Sequence, residues 1–164
     1  MRPHQRLREA PIGVFDSGMG GLTVLRELLR ELPGERFCYF GDTGNCPYGV
    51  RSVKQIQRLS LAAADFLLDH EAKLIVVACN TASVHARDEL RRAYGDNMFV
   101  VVVPAIKTAA ELTRTHVVGI AATDASARGE YLQQLIHEHA RNERVLIAGC
   151  PELVQLVEAG QLGG

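Results

Sequence analysis

A cysteine stands at residue 79 directly after the apolar run Leu74-Ile75-Val76-Val77-Ala78 and directly before Asn80-Thr81-Ala82-Ser83. A β-branched run of that kind suits a strand buried on both faces of a parallel sheet. From Ala82 to Tyr94 the apolar spacing turns helical. Cys79 is therefore expected at the carboxyl end of a strand and the mouth of a helix, where open α/β sheets bind their ligands. A thiol so placed can act on a bound small molecule. The competing reading is a small buried hydrophobe, which is how most free cysteines behave.

Two further segments belong on the same rim. Ile12-Gly13-Val14-Phe15 reads as a short strand and Asp16-Ser17-Gly18-Met19-Gly20-Gly21 as the glycine-rich turn after it. Gly18 and Gly20 fit the first two places of a dinucleotide fingerprint, but Thr23 occupies the third, and no phosphate-loop GK[ST] is present. Asp16 at the mouth would also repel phosphate. Either the loop amides and Asp16 hold a small zwitterion, or Asp16-Ser17 caps a helix and the glycines make a tight turn. The second segment, Gly41 to Gly49, is turn-rich and follows the strand Arg36-Phe37-Cys38-Tyr39-Phe40. There Tyr48 and Gly49 can offer a hydroxyl and a close backbone amide to a ligand carboxylate, or can pack and shape the turn. Cys38 reads as core, and Cys46 as a loop thiol with no obvious activator.

These segments need a scaffold, and the spacing supplies one. Helices are expected after Gly21, with Leu22, Leu25, Leu28, Leu29 and Leu32 as a stripe, and over Val53 to His70, with Val53, Ile56, Leu59, Ala63, Phe66 and Leu67 buried. Strands follow at Met98 to Val103, Val117 to Ala122 and Val145 to Ala148, with helices at Pro104 to Thr113, Ser126 to Ala140 and Glu152 to Ala159. Strict alternation of β and α predicts an α/β fold, a parallel sheet with helices on both faces. The expected division is a flexible tail at 1–10, a first α/β unit at 11–103 carrying Cys79, and an incomplete second unit from Pro104 to Gly164.

Composition narrows the partners. Of 164 residues, 47% are hydrophobic, enough for a real core, and the formal net charge is −1, which gives no electrostatic case for nucleic acid or an anionic membrane. No apolar run reaches the ~18 residues of a membrane span. The four cysteines, at 38, 46, 79 and 150, show neither CxxC pairs nor zinc spacing. Reduced thiols in a cytoplasmic protein, no metal, and a small-molecule or protein partner are the expectations. His137 and His139, two apart on a helix, point in different directions and are wrong for a shared metal.

Five segments together resemble the glutamate racemase family of the aspartate/glutamate racemase superfamily. They are Ile12-Gly13-Val14-Phe15-Asp16-Ser17-Gly18-Met19-Gly20-Gly21-Leu22-Thr23-Val24, Pro47-Tyr48-Gly49, Ala78-Cys79-Asn80-Thr81-Ala82-Ser83, Pro104-Ala105-Ile106 and Cys150-Pro151-Glu152-Leu153. They occur in the family's order and cover nearly the whole chain. The resemblance implies a two-lobe racemase architecture and a cofactor-independent isomerase that supplies D-glutamate for peptidoglycan. It implies that Cys79 is one of two catalytic thiols facing each other across the substrate's α-carbon. Inversion without a cofactor needs a base on one face of that carbon and an acid on the other. By the same analogy Asp16 and Ser17 would lie near the substrate amino group, Tyr48 and Gly49 near a carboxylate, and Asn80 and Thr81 near the remaining polar groups.

Departures from the family pattern bear on activity. The second thiol belongs to a Gly-Cys-Thr-His segment that these 164 residues lack. Gly44-Asn45 replaces the usual Ala-Arg, and Asp124-Ala125-Ser126-Ala127 replaces the usual continuation toward Gly-Thr-Val. Glu158 matches a family acid that lies beside the missing thiol. Cys150 belongs to a separate recurrent segment, and a structural role is expected for it. The resemblance thus implies a truncated racemase that need not be active alone; a homodimer is a separate expectation. The alternatives are an aspartate racemase and a non-catalytic small-ligand binding protein. Thiolate is required at Cys79, and the following helix should lower its pKa while Asp16 should raise it.

Overall fold

The computed structural model describes residues 9–161, so most of the expected tail at 1–10 lies outside the described residues. Four parallel strands form one sheet: β1 (Ile12–Asp16), β2 (Phe37–Gly41), β3 (Leu74–Val77) and β4 (Phe99–Val101), in the order β2-β1-β3-β4. β1 and β3 are central and run in register, Ile12 beside Leu74 and Phe15 beside Val77. Both are buried nearly throughout, as near-continuous apolar runs in a parallel sheet should be.

Alternation along these strands sends side chains to two separate cores. Ile12, Val14, Val76 and Ala78 meet Val24, Leu25 and Leu28 of α1 (Gly21–Glu31). Phe15, Ile75, Val77 and Cys79 join the opposite core with Ile56, Ala63 and Leu67 of α2 (Val53–Asp69) and with Leu90. Gly13 lets α2 approach: an added Cβ would stand 3.0 Å from Leu67. A reciprocal capping box starts α2, in which Ser52 Oγ accepts the Gln55 N–H and Gln55 Oε1 accepts the Ser52 N–H.

The helical spacing overstates the buried stripes. Leu22 and Leu29 of α1, Leu32 at its C-cap, and Val53 and Phe66 of α2 are exposed. α1 meets only the part of the sheet around Ile12, Val14, Val76 and Ala78, so its outer leucines have nothing to cover. In α2 the close approach uses Ala63 and Ala64, and Phe66 turns outward to stack on Phe40 and His70, at ring-centroid distances of 4.8 and 4.2 Å. The helix expected through Tyr94 is two, α3 (Asn80–His85) and α4 (Arg87–Tyr94), broken at Ala86.

α5 (Ile106–Leu112) leads to a second, two-stranded parallel sheet of β5 (Val117–Ala122) and β6 (Arg144–Gly149). Between them the single expected helix is again two, α6 (Asp124–Ala127) and α7 (Glu130–His139), and α8 (Pro151–Glu158) ends the described fold. The break falls at Gly129, where a Cβ would lie 2.3 Å from Val84 Cγ1 of α3. Ile106, Leu132, Leu135 and Ala140 pack under one face of the second sheet with Ile120 and Val145. Val117 and Leu146 alternate to the opposite face and are exposed. No helix among the described residues is long and apolar enough to cross a membrane.

Ser60 is fully buried on α2 with no partner for its hydroxyl. A buried hydroxyl without a hydrogen bond opposes folding, so Ser60→Ala should raise stability by about 1 kcal/mol. Urea denaturation followed by circular dichroism checks this, with a higher midpoint at unchanged slope as the expected result.

Candidate active site

Because β1 and β3 are paired through Phe15 and Val77, the residues that follow emerge side by side. Cys79 caps α3: its Sγ accepts the Ala82 N–H at 3.4 Å, and its S–H donates to Ser17 Oγ at 3.2 Å. Asp16 turns back into the glycine loop, where Oδ2 accepts the Gly21 N–H at 2.9 Å and the Gly18 N–H at 3.3 Å. Gly21 is obligatory at that approach, since an added Cβ would stand 2.6 Å from Asp16 Cβ. Asp16 thus caps α1, and it also lines the cleft beside Cys79.

Burial pushes the Cys79 thiol up, and the neighbouring Asp16 carboxylate pushes it further; hydrogen bonds from the Ser17 side chain and from the Ala82 and Ser17 amides pull it back. The balance lies at about 11, well above an ordinary thiol near ~8.5. At neutral pH Cys79 is therefore protonated. Of the two influences expected from sequence, Asp16 raises the value and the helix amide lowers it; desolvation, which was not among them, is the largest cause and sets the balance.

The cleft is ≈ 830 Å³ and runs between the ends of the two sheets. It is lined by Asp16, Ser17, Cys79, Asn80, Thr81 and Glu158 among the residues nominated from sequence. Thr81 is buried, with Oγ1 3.3 Å from Thr123 Oγ1 and 3.4 Å from Ser126 Oγ. Thr123 donates to Ser126 Oγ at 3.0 Å and accepts the Ser126 N–H, capping α6. This hydroxyl triangle joins α3 to α6 across the cleft floor. Thr123 and Ser126 were not nominated from the sequence; a Thr directly after an apolar strand, three before a Ser, is the N-cap signal that marks them.

Tyr48 and Gly49 are not brought to the cleft wall. Tyr48 is buried with its ring 6.1 Å from that of Phe15, and its hydroxyl donates to Asp42 Oδ2 at 2.7 Å. Burial and that bond hold the phenol far above its usual range. Asp42 also accepts twice from Asn45 Nδ2, so the loop is closed on itself. Gly49 lies against the second sheet's helix cap: a Cβ there would come within 2.5 Å of Thr123 Cβ. Glu158, at the end of α8, accepts the Met19 N–H at 3.2 Å.

Cys150, which follows β6, also lines the cleft, with its S–H directed to the Ala148 carbonyl at 3.7 Å. Cys38 packs against the core. Cys46 is raised by burial and by the Glu158, Asp16 and Asp42 carboxylates. Among the described residues no cluster of three or more His, Cys, Asp or Glu could hold a metal ion. A buried thiol beside a hydroxyl, a carboxylate and free polar groups can move a proton on a small polar ligand.

No family model matches the chain. A glutamate racemase of Herpetosiphon aurantiacus is 49% identical over 156 residues, which are 95% of this chain and 61% of that protein. The crystal structure of Escherichia coli glutamate racemase in complex with L-glutamate and the activator UDP-MurNAc-Ala is similar with a TM-score of 0.84 at 37% identity, over 94% of this chain and 59% of that one. The Francisella tularensis glutamate racemase in complex with D-glutamate gives a TM-score of 0.81 at 36% identity, over 96% and 59%. The chain therefore spans about three-fifths of the length of the relatives it matches, and its α/β fold is that of the matched part of those structures.

The charge balance at Cys79 is testable without any ligand. Asp16→Asn keeps an acceptor for the loop amides but removes the charge, and should lower the Cys79 pKa from about 11. Ser17→Ala removes a bond that favours the thiolate and should raise it. Thiolate absorbance titrated against a Cys79→Ser control reads both, and shifts of the opposite sign would refute this electrostatic picture.

Proposed function

We infer, from the premise that the chain is homologous to the glutamate racemases over 95% of its own length, that it carries the Cys79 half of a cofactor-independent glutamate racemase active site. The observation that supports this most is the placement of Cys79 in a cleft, bonded to Ser17, beside Asp16 and followed by Asn80-Thr81. On this reading Cys79 exchanges the α-proton of glutamate on one face of the α-carbon. A second thiol would serve the other face.

The raised pKa of Cys79 fits the acid half of such a cycle directly: the thiol is protonated and has a proton to give. The base half needs a thiolate, and a bound substrate supplies a reason for one. An α-ammonium held near Asp16 would offset the carboxylate charge that disfavours ionisation of Cys79. Ser17 then accepts from the thiol or donates to the thiolate without moving. Asn80, exposed at the start of α3, and Thr81 offer polar contacts to a carboxylate, while Tyr48 and Gly49 act by shaping the wall behind Thr123.

With both thiols the product would be D-glutamate for peptidoglycan, formed in the cytoplasm. The 164 residues contain no Gly-Cys-Thr-His segment, so proton exchange on one face, without inversion, is the activity proposed for them alone. Division into a Cys79-bearing unit through Val103 and a second unit from Pro104 belongs to the same reading, as does a homodimer.

Incubation with each glutamate enantiomer in heavy water separates the alternatives. The expected result is α-deuteration of one glutamate enantiomer only, with retained configuration, lost in Cys79→Ser and slower with aspartate. Exchange that persists in Cys79→Ser would refute the role of this thiol. Faster exchange of aspartate would favour an aspartate racemase, and glutamate binding with no exchange a binding protein.

A further inference from the structure

α8 forms one wall of the cleft through Leu153, Val154, Val157 and Glu158. Its packing is thin, for Leu153 and Val157 remain 50% and 53% exposed and Leu156 faces solvent as well. Among the described residues, the bond from the Met19 N–H to Glu158 Oε1 is the only hydrogen bond that ties an α8 side chain to another element.

The receiving loop is fixed independently. The Gly18 N–H and Gly21 N–H are held by Asp16, and the Gly18 carbonyl accepts the Tyr39 hydroxyl at 3.0 Å. If the loop cannot follow, α8 is the part that moves when the Glu158 bond breaks. Gly18 also makes the seat for the carboxylate: an added Cβ would lie 2.3 Å from Glu158 Oε1 and 2.8 Å from Cδ. Gly18 has no positive φ, so its lack of a side chain answers to space and not to backbone conformation.

We propose that Glu158 is a latch: its carboxylate on the Met19 amide holds α8 across the cleft, and release of that bond swings α8 outward and opens access to Cys79. The device is conformational and stands whether or not the racemase reading does. Elements held by few buried apolar contacts open locally at low cost, and a single charge-assisted bond then dominates the closed population.

Alkylation by iodoacetamide, followed on the Cys79 peptide by mass spectrometry at fixed pH and without any amino acid, reads that access. Glu158→Ala and Gly18→Ala should each speed modification about ten-fold, the scale of one lost charge-assisted hydrogen bond gating exposure. Glu158→Gln retains a carbonyl acceptor without the charge, so its rate should fall clearly between those of the parent chain and Glu158→Ala. Gly18→Ala keeps the Glu158 charge, and its methyl meets the flexible end of that side chain, so it separates the latch from electrostatics. The proposal is overturned if Gly18→Ala reacts at the parent rate with an unchanged circular dichroism spectrum, or if Glu158→Gln matches Glu158→Ala. Should Gly18→Ala perturb the fold, amide exchange of the parent chain decides: Met19 and α8 must open together, and unequal protection refutes the latch.

Discussion

A buried carboxylate at the end of a central strand is the constraint from which the site follows. Asp16 cannot keep its charge inside the protein without donors, and it takes them from the Gly18 and Gly21 amides of the loop it begins. That demand folds the loop tightly, forbids a side chain at Gly21, starts α1, and leaves Ser17 pointing at the thiol on the neighbouring strand. One ionised group thus fixes backbone, helix start and thiol partner together. Replacing it by an apolar residue would leave buried amides unpaired, so the site could not be dismantled without disturbing the first turn of the fold.

The same carboxylate sets the chemistry of Cys79. A thiol that is buried and beside a negative charge holds its proton strongly, which protects it from adventitious reaction while the cleft is empty. A cation brought into the cleft reverses the sign of the local field. The proposed substrate carries such a cation next to the proton to be moved, so ligand and activation would arrive together. Position of the thiol alone would not give this coupling; it needs Asp16 within electrostatic reach and Ser17 as a partner able to serve either protonation state.

The strands and the rim were legible because their causes are local. An apolar β-branched run followed by Cys-Asn-Thr, and a second run followed by Asp-Ser-Gly, announce strand ends on one edge of a parallel sheet, and β1 and β3 stand there in register. The break between α6 and α7 was not legible, because its cause is distant. Gly129 interrupts the helical pattern where it presses on Val84 of α3, a contact between segments some 45 residues apart by the numbering. Tyr48 illustrates the same limit within one loop: spacing places it at the rim, but Asp42 captures the hydroxyl and draws the ring into the core. Helical periodicity likewise gave the direction of α1's apolar face and not its width, since only the neighbouring sheet decides how many leucines find cover.

The two sides of the cleft do not rest on equal foundations. Cys79, Ser17 and Asp16 stand on a four-stranded sheet with apolar cores on both faces, the arrangement parallel strands require. Thr123, Cys150 and Glu158 stand on a two-stranded parallel sheet packed on one face, with Val117 and Leu146 exposed on the other. What joins the halves is short and mostly polar: the Thr81, Thr123 and Ser126 hydroxyls, the His85 ring on the Ala125 carbonyl at 2.9 Å, the Met19 N–H on Glu158, and the close seats at Gly49 and Gly129. Contacts of that kind fix orientation closely but contribute little net stability each. The thiol half of the site is therefore preformed by its own core. The opposite wall is held in place chiefly by its seam to that half, and its geometry depends on the seam remaining intact.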